Sequence, residues 1–108
     1  MKLIKCIIRP ERLIDVIEKL SPVVPGLTVS EVRGHGRQRG HTAVYRGVEY
    51  EVKLLPKITI EVVIDDSRVD DIAKLVRETA QTGEIGDGRI FVLPVEEAYH
   101  VRTGFMDR

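Results

Sequence analysis

The sequence predicts an α+β fold in which two helices cover one face of a four-stranded antiparallel sheet. Short runs of β-branched and other apolar residues indicate four strands. Two further segments carry apolar residues at helical spacing. The order is strand, helix, strand, long loop, strand, helix, strand, which is typical of the ferredoxin-like βαββαβ arrangement.

The first half of the chain supplies two strands and a helix. Lys2–Arg9 (KLIKCIIR) is rich in Ile and Leu and predicts a strand. Leu27–Arg33 (LTVSEVR) alternates apolar and polar residues, as a half-buried strand does. Between them, Glu11–Leu20 predicts a helix. Its apolar face consists of Leu13, Val16, Ile17 and Leu20.

The second half repeats this order. Ile58–Ile64 (ITIEVVI) predicts a strand, and Asp65–Ser67 supplies turn and helix-cap residues. Ile90–Leu93 (IFVL) predicts a short buried strand that Pro94 interrupts, and Ala98–Thr103 is a candidate for a further edge strand. The second helix has an apolar face made of Val69, Ile72, Ala73, Val76 and Ala80.

The chain is expected to be one domain, residues 1–108, that associates with copies of itself. Its two helices can cover only one face of the sheet. A chain of this size has no further element for the other face, so we expect a symmetric oligomer that turns these faces inward.

Composition excludes several classes of protein. Seventeen acidic and seventeen basic residues balance, which argues against a general nucleic-acid binder. Cys6 is the only cysteine, so one chain can form no disulfide, and its apolar surroundings predict a buried inert thiol. No apolar stretch is long enough to span a membrane, and the N-terminus has no signal-peptide pattern. We therefore expect a cytoplasmic protein.

A long insert, Gly34–Lys57 (GHGRQRGHTAVYRGVEYEVKLLPK), separates the second and third strands. Connections of this length in small domains usually have a function. Its first seven residues combine three glycines with Arg37, Gln38 and Arg39, which suits a phosphorylated or carboxylate ligand. The alternative is a solvated basic loop. Lys57, held beside a proline at a strand start, is a candidate to face an anion.

A second glycine-rich segment, Thr82–Arg89 (TGEIGDGR), follows the second helix. Its glycines permit positive φ angles and bring backbone N–H groups close to a ligand, as in an anion nest. Arg89 could add a charge-assisted bond to phosphate. The alternative is a helix C-cap followed by a tight turn. The segment matches neither a Walker A motif nor the dinucleotide fingerprint.

No catalytic set emerges from the spacing of reactive residues, which favours a non-catalytic sensor. A small phosphoryl-transfer enzyme is an alternative, with Glu61 or Asp87 as its base. A nucleic-acid module is a third, but aromatic residues are not interleaved with its basic residues, which would be Arg37, Arg39 and Arg46. The three histidines show no metal-ligand spacing.

The segments Thr28–Lys57 and Thr82–Val92 closely resemble the PII nitrogen-regulatory signal-transduction family, as do Ile7–Pro10 and Val101–Gly104. YRGVEY and GEIGDGRIF are the most specific matches. The resemblance implies a homotrimer of ferredoxin-like subunits that is a regulator and not an enzyme. ATP and ADP would compete for clefts between subunits, and 2-oxoglutarate would bind with Mg-ATP. The insert, at about 35–56, would be the flexible T-loop, which docks onto ammonium channels and nitrogen-assimilation enzymes or their regulators.

The resemblance also implies roles for individual residues. Nucleotide phosphates would be bound by Gly86, Asp87, Gly88 and Arg89, with Arg37 and Arg102 adding charge, and Gly36 would also contact the nucleotide. The adenosine would lie among Thr28, Gly34, Glu61 and Val63. Gln38 and Lys57 would bind 2-oxoglutarate, and Gln38 would also contact the nucleotide and Mg²⁺. Tyr50 would be the tyrosine that some members uridylylate, and Arg46 would enter the ammonium channel.

His100 and Glu84 are among the positions that depart from the family pattern. His100 stands where many members have a phosphate-contacting arginine, and an unperturbed imidazole is mostly neutral at pH 7. Glu84 replaces a common lysine in the glycine-rich segment. An alternative function is therefore a divergent PII-like regulator that senses adenine nucleotide or another metabolite without 2-oxoglutarate.

Overall fold

The structure, a computed structural model, describes residues 1–35, 41–45, 48–52 and 54–107, with backbone alone in 41–45 and 48–52. The strands are β1 (Lys2–Ile8), β2 (Thr28–Gly34), β3 (His41–Tyr45), β4 (Val48–Val52), β5 (Leu55–Ile64), β6 (Gly88–Pro94), β7 (Ala98–Tyr99) and β8 (Met106–Asp107). The helices are α1 (Leu13–Leu20) and α2 (Val69–Ala80), and each follows a short 3₁₀ turn, Pro10–Arg12 or Asp66–Arg68.

The main sheet has four antiparallel strands in the order β2-β5-β1-β6. In the central register, Cys6 lies opposite Ile60 on one side and Ile90 on the other. This strand order, together with the two helices, confirms the predicted ferredoxin-like α+β fold.

Both helices pack on the same face of the sheet. Side chains alternate between the two faces of a strand, and on β1 and β5 one alternate set is buried. This set consists of Ile4, Cys6, Ile8, Ile58, Ile60, Val62 and Ile64. The helices contribute Val16, Leu20, Ile72, Val76 and Ala80 to the same core. Burial raises the pKa of the Cys6 thiol to about 11, so the thiol is inert at neutral pH, as predicted.

The opposite face of the sheet, here called the open face, carries a row of apolar side chains. Leu3 lies opposite Val63 on β5 and Leu93 on β6. Val63 and Leu93 remain partly exposed in the single chain, as does Phe91 beside Lys5. An apolar row of this kind is suited to contact with another subunit.

Several element boundaries differ from the prediction. Strand β5 begins at Leu55, three residues before the predicted start, and β6 runs from Gly88 to Pro94. The expectation that Pro94 interrupts the strand was wrong: Pro94 is paired with Lys2 at the end of β6. This placement is tolerated because β6 is an edge strand, and an edge strand leaves one side without ladder bonds.

The insert contains an antiparallel hairpin of β3 and β4, which pattern analysis had treated as part of a loop. The proposed ligand-binding and docking residues Gly36, Arg37, Gln38 and Arg46 lie outside the described residues, as does the side chain of Tyr50. The predicted T-loop at about 35–56 is therefore described only in part.

The tail forms a small hairpin in place of the suggested edge strand. Ala98 and Tyr99 pair with Asp107 and Met106 in a separate two-stranded sheet. Among the described residues, no helix is long and apolar enough to cross a membrane.

Candidate ligand-binding site

Most of the predicted ligand-binding residues that the structure describes line two clefts of the single chain. Cleft A, of about 950 Å³, is lined among others by Thr28, Glu61, Val63 and His100. Cleft B, of about 610 Å³, is lined among others by Gly34, Lys57, Glu84, Gly86, Asp87, Gly88 and Arg89. Of the residues expected around adenosine, Thr28, Glu61 and Val63 line cleft A, whereas Gly34 lines cleft B. Of those expected around phosphate, Gly86, Asp87, Gly88 and Arg89 line cleft B, whereas Arg102 lines neither of these two clefts.

The two clefts lie at opposite ends of the sheet. Lys57 of cleft B is near the start of β5, and Val63 of cleft A is near its end. Six residues of extended strand span roughly 20 Å. One subunit therefore keeps the two sets of predicted contacts apart.

The glycine-rich segment that borders cleft B, residues 82–89, is here called the glycine turn. Gly83, Gly86 and Gly88 have φ angles of 88°, 97° and 114°. Helix α2 ends earlier, with Gln81 as an extended C-cap (φ −69°, ψ 141°), so the helix-cap alternative for these glycines was wrong. The positive φ angles belong to the turn itself, and its backbone passes close to strand β1 at Gly88.

The carboxylate of Asp87 organises this turn from within. One oxygen, Oδ2, accepts from the backbone N–H of Thr82 at 2.7 Å and of Gly83 at 2.9 Å. The other, Oδ1, accepts from the Thr82 hydroxyl and from Nε of Arg9, the latter at 3.0 Å. Asp87 was predicted to lie near phosphate; the structure turns its side chain toward the turn and Arg9.

Burial alone would raise the pKa of Asp87, but hydrogen bonds from Thr82, Arg9 and Gly83 outweigh it and hold the pKa well below its usual range. The carboxylate is therefore ionised at neutral pH and already bonded by four donors. Such a group is a weak proton acceptor, which argues against Asp87 as the base of a phosphoryl-transfer enzyme.

Asp87→Asn is expected to destabilise the protein at neutral pH and to matter less in acid. A carboxyl group whose pKa is lowered by folding contributes stability above its unfolded pKa of about 3.9, and this contribution is lost as the pH falls further. Urea unfolding of wild type and variant between pH 7 and pH 2.5 measures the difference. A difference in unfolding free energy that stays constant over this range would contradict the assignment.

Lys57 lies on the open face at the floor of cleft B, with 9% of its surface exposed. Its ammonium donates to the carbonyl oxygen of Gly86 at 2.7 Å. Burial, and then the charge of Arg9, lowers the pKa of Lys57, whereas Glu11 and Asp87 act in the opposite direction. A Cβ at Gly34 would lie 3.3 Å from the Lys57 side chain, so this glycine leaves room for the lysine.

Arg9 is the functional candidate that sequence reasoning missed. It appeared only as the last residue of the predicted strand Lys2–Arg9 and within the matching segment Ile7–Pro10, with no role attached. In the structure its side chain is 13% exposed and contacts the glycine turn, 76 and 78 residues further along the chain. The available signal was a charged residue ending an apolar strand immediately before a proline.

Two further residues predicted to bind phosphate, Arg89 and Arg102, have exposed side chains. Arg89 is exposed on β6 opposite Ile7, on the open face. Arg102 is exposed in the turn between β7 and β8. Within the described part of the chain, no group of three or more His, Cys, Asp or Glu residues is arranged to hold a metal.

Comparison with known proteins identifies the family of the chain. The sequence profile of the family "Nitrogen regulatory protein P-II" matches residues 1–105. The chain is 55% identical over 105 residues to "Nitrogen regulatory protein P-II" of Pasteurella multocida, covering 96% of this chain and 94% of the relative. It is 54% identical over the same length to the protein of that name from Haemophilus influenzae, with equal coverage.

A third relative is "Nitrogen regulatory protein GlnK" of Escherichia coli K12, 49% identical over 108 residues, or 99% of this chain and 96% of the relative. These are names of regulatory proteins and not of enzymes, which confirms the non-catalytic interpretation. The profile match and the relatives together show that the chain belongs to the P-II family of nitrogen regulatory proteins.

Proposed function

We propose that the protein senses ATP, ADP and 2-oxoglutarate, and that it reports their balance to target proteins through its T-loop. The observation that supports this proposal is the division of the predicted nucleotide contacts between clefts A and B at opposite ends of one sheet. A nucleotide site completed by a second subunit would use both clefts.

A homotrimer would bring the two half-sites together. In a closed ring, each subunit presents one end of its sheet to one neighbour and the other end to the next. The partly exposed apolar row of Leu3, Val63 and Leu93 on the open face supports such an assembly, because contact between subunits would remove it from water.

In this arrangement the phosphates would lie at the glycine turn of one subunit. Gly86 has no Cβ to hold a ligand away from the backbone, and Arg89 supplies a positive charge. The adenosine would lie in cleft A of the neighbour, among Thr28, Glu61 and Val63.

2-Oxoglutarate would bind beside the phosphates, with one carboxylate on Lys57. The lysine lines cleft B, and its positive charge suits a carboxylate ligand there. The implied Mg²⁺ contact of Gln38 lies outside the described residues. ADP lacks the γ-phosphate and would therefore support 2-oxoglutarate binding less well.

The T-loop, at about residues 35–56, would make the contacts with target proteins. Arg46 would enter an ammonium channel, the only contact with a membrane, and Tyr50 would be the site of uridylylation where a partner enzyme provides it. Other targets would be nitrogen-assimilation enzymes or their regulators in the cytoplasm. By linkage, a target that prefers one ligand state changes the affinity of the protein for that ligand by the same factor.

Calorimetric titration with ATP and ADP, each with and without 2-oxoglutarate and Mg²⁺, tests the sensor function. We expect 2-oxoglutarate to bind only in the presence of Mg-ATP. Nucleotide binding without any 2-oxoglutarate binding would support the alternative of a regulator that reads adenine nucleotide alone. Absence of nucleotide binding would overturn the proposal.

Mixed trimers test whether the two clefts are shared between subunits. Glu61→Ala weakens cleft A, and Arg89→Ala weakens cleft B. Refolding the two variants together in equal amounts should restore ATP binding at about one quarter of the sites, because a cyclic arrangement joins one intact cleft of each kind at that frequency. If the mixture binds no more ATP than the separate variants, the shared site is excluded.

A further inference from the structure

We infer that Arg9 is a positioning residue that aims the backbone of the glycine turn at the phosphate groups of a nucleotide; this rests on the proposed function. Arg9 donates from Nη2 to the carbonyl oxygen of Ile85 at 2.8 Å and from Nε to Asp87 at 3.0 Å. One guanidinium thus holds the turn at two points.

The planar peptide bond explains how these contacts act on a ligand. In a trans peptide the C=O of one residue and the N–H of the next point in opposite directions. Arg9 holds the Ile85 carbonyl and Lys57 holds the Gly86 carbonyl. The N–H groups of Gly86 and Asp87 are therefore turned away from the two cations, in the orientation that an anion nest requires.

The second contact of Arg9 fixes the same turn through Asp87. The Asp87 carboxylate also receives the N–H groups of Thr82 and Gly83, so its position sets where the turn begins. Arg9 keeps that carboxylate in place. The positive charge of Arg9 also offsets the negative charge of Asp87 beside the proposed phosphate site. Because the acceptors of Nε and Nη2 are separate, a lysine with a single ammonium cannot replace both contacts.

Positioning and simple charge balance make different predictions, and three variants separate them. Arg9→Gln removes both contacts and one charge. Arg9→Lys keeps the charge but loses the two-point contact. The double variant Arg9→Gln with Asp87→Asn restores the charge balance without restoring the geometry. Lys74→Gln, an exposed change on α2, is the control for loss of one positive charge.

We expect ATP affinity, measured by calorimetry, to fall about tenfold or more in all three variants, because a charge-assisted contact typically contributes that much. Lys74→Gln should bind ATP as wild type does. If Arg9→Lys or the double variant bound ATP with wild-type affinity, the positioning role would be overturned. The contribution of Arg9 to ATP binding would then be one of charge alone.

Amide NMR spectra supply a readout that does not depend on the nucleotide. In Arg9→Gln, the N–H signals of Gly83, Gly86 and Gly88 should shift, while those of α1 and α2 remain. Unshifted glycine signals would overturn the inference. If the wild-type protein binds no ATP, the proposed sensor function fails, and these spectra still decide whether Arg9 orders the turn.

Discussion

Gly88→Ala is expected to destabilise the protein by about 4 kcal/mol or more, enough to prevent folding of a marginally stable domain. Gly88 has a φ of +114°, and a Cβ there would lie 1.7 Å from the carbonyl oxygen of Ile7 and 2.8 Å from its carbon. Both are backbone atoms of β1, a central strand paired on both sides, so neither can move away.

Substitutions at two other glycines distinguish the cost of this steric clash from the cost of a strained backbone conformation. Gly83 has a φ of +88° but open space around its Cβ position, so Gly83→Ala should cost about 1–2 kcal/mol. Gly26 also faces open space and shows no positive φ, so Gly26→Ala should be nearly neutral or slightly stabilising. Urea unfolding at one protein concentration gives the comparison. Equal costs for Gly88→Ala and Gly83→Ala would contradict the close approach to β1.

Leu93→Glu is expected to dissociate the proposed trimer into single subunits. Leu93 is 40% exposed on the open face, in the apolar row with Leu3 and Val63. In an assembled ring the new carboxylate would be buried in an apolar contact without a partner, at a cost of several kcal/mol. The subunit fold should survive because Leu93 lies outside the core beneath the helices.

Ile14→Glu is the matched control on the opposite side of the molecule. Ile14 is on α1 and is 67% exposed, so the same introduced charge should leave the assembly unchanged. Sedimentation velocity measures the mass of each variant. If Leu93→Glu had the same mass as the wild-type assembly, the open face would not be the subunit interface. The same would follow if Ile14→Glu alone had the mass of a single subunit.

Local patterns were sufficient to predict the main elements. The β-branched run Ile58–Ile64 predicted a strand, and the apolar face of Val69–Ala80 predicted a helix. Both elements were confirmed. The cap at Asp65 was also confirmed, since its carboxylate accepts from the backbone N–H of Ser67. Errors occurred where pairing between strands, and not local pattern, decides the structure: the β3–β4 hairpin, the start of β6 and the pairing of β7 with β8.

The fold class and the position of the glycine turn follow from periodicity and glycine spacing, which are properties of short segments. The family follows from the specific motifs YRGVEY and GEIGDGRIF and from the profile match over residues 1–105. The separation of the predicted contacts into two clefts, and the contact of Arg9 with Asp87 across 78 residues of chain, became visible only in the folded subunit. Such a contact depends on the register that places the end of β1 beside Gly88, and that register follows from the packing of the whole sheet.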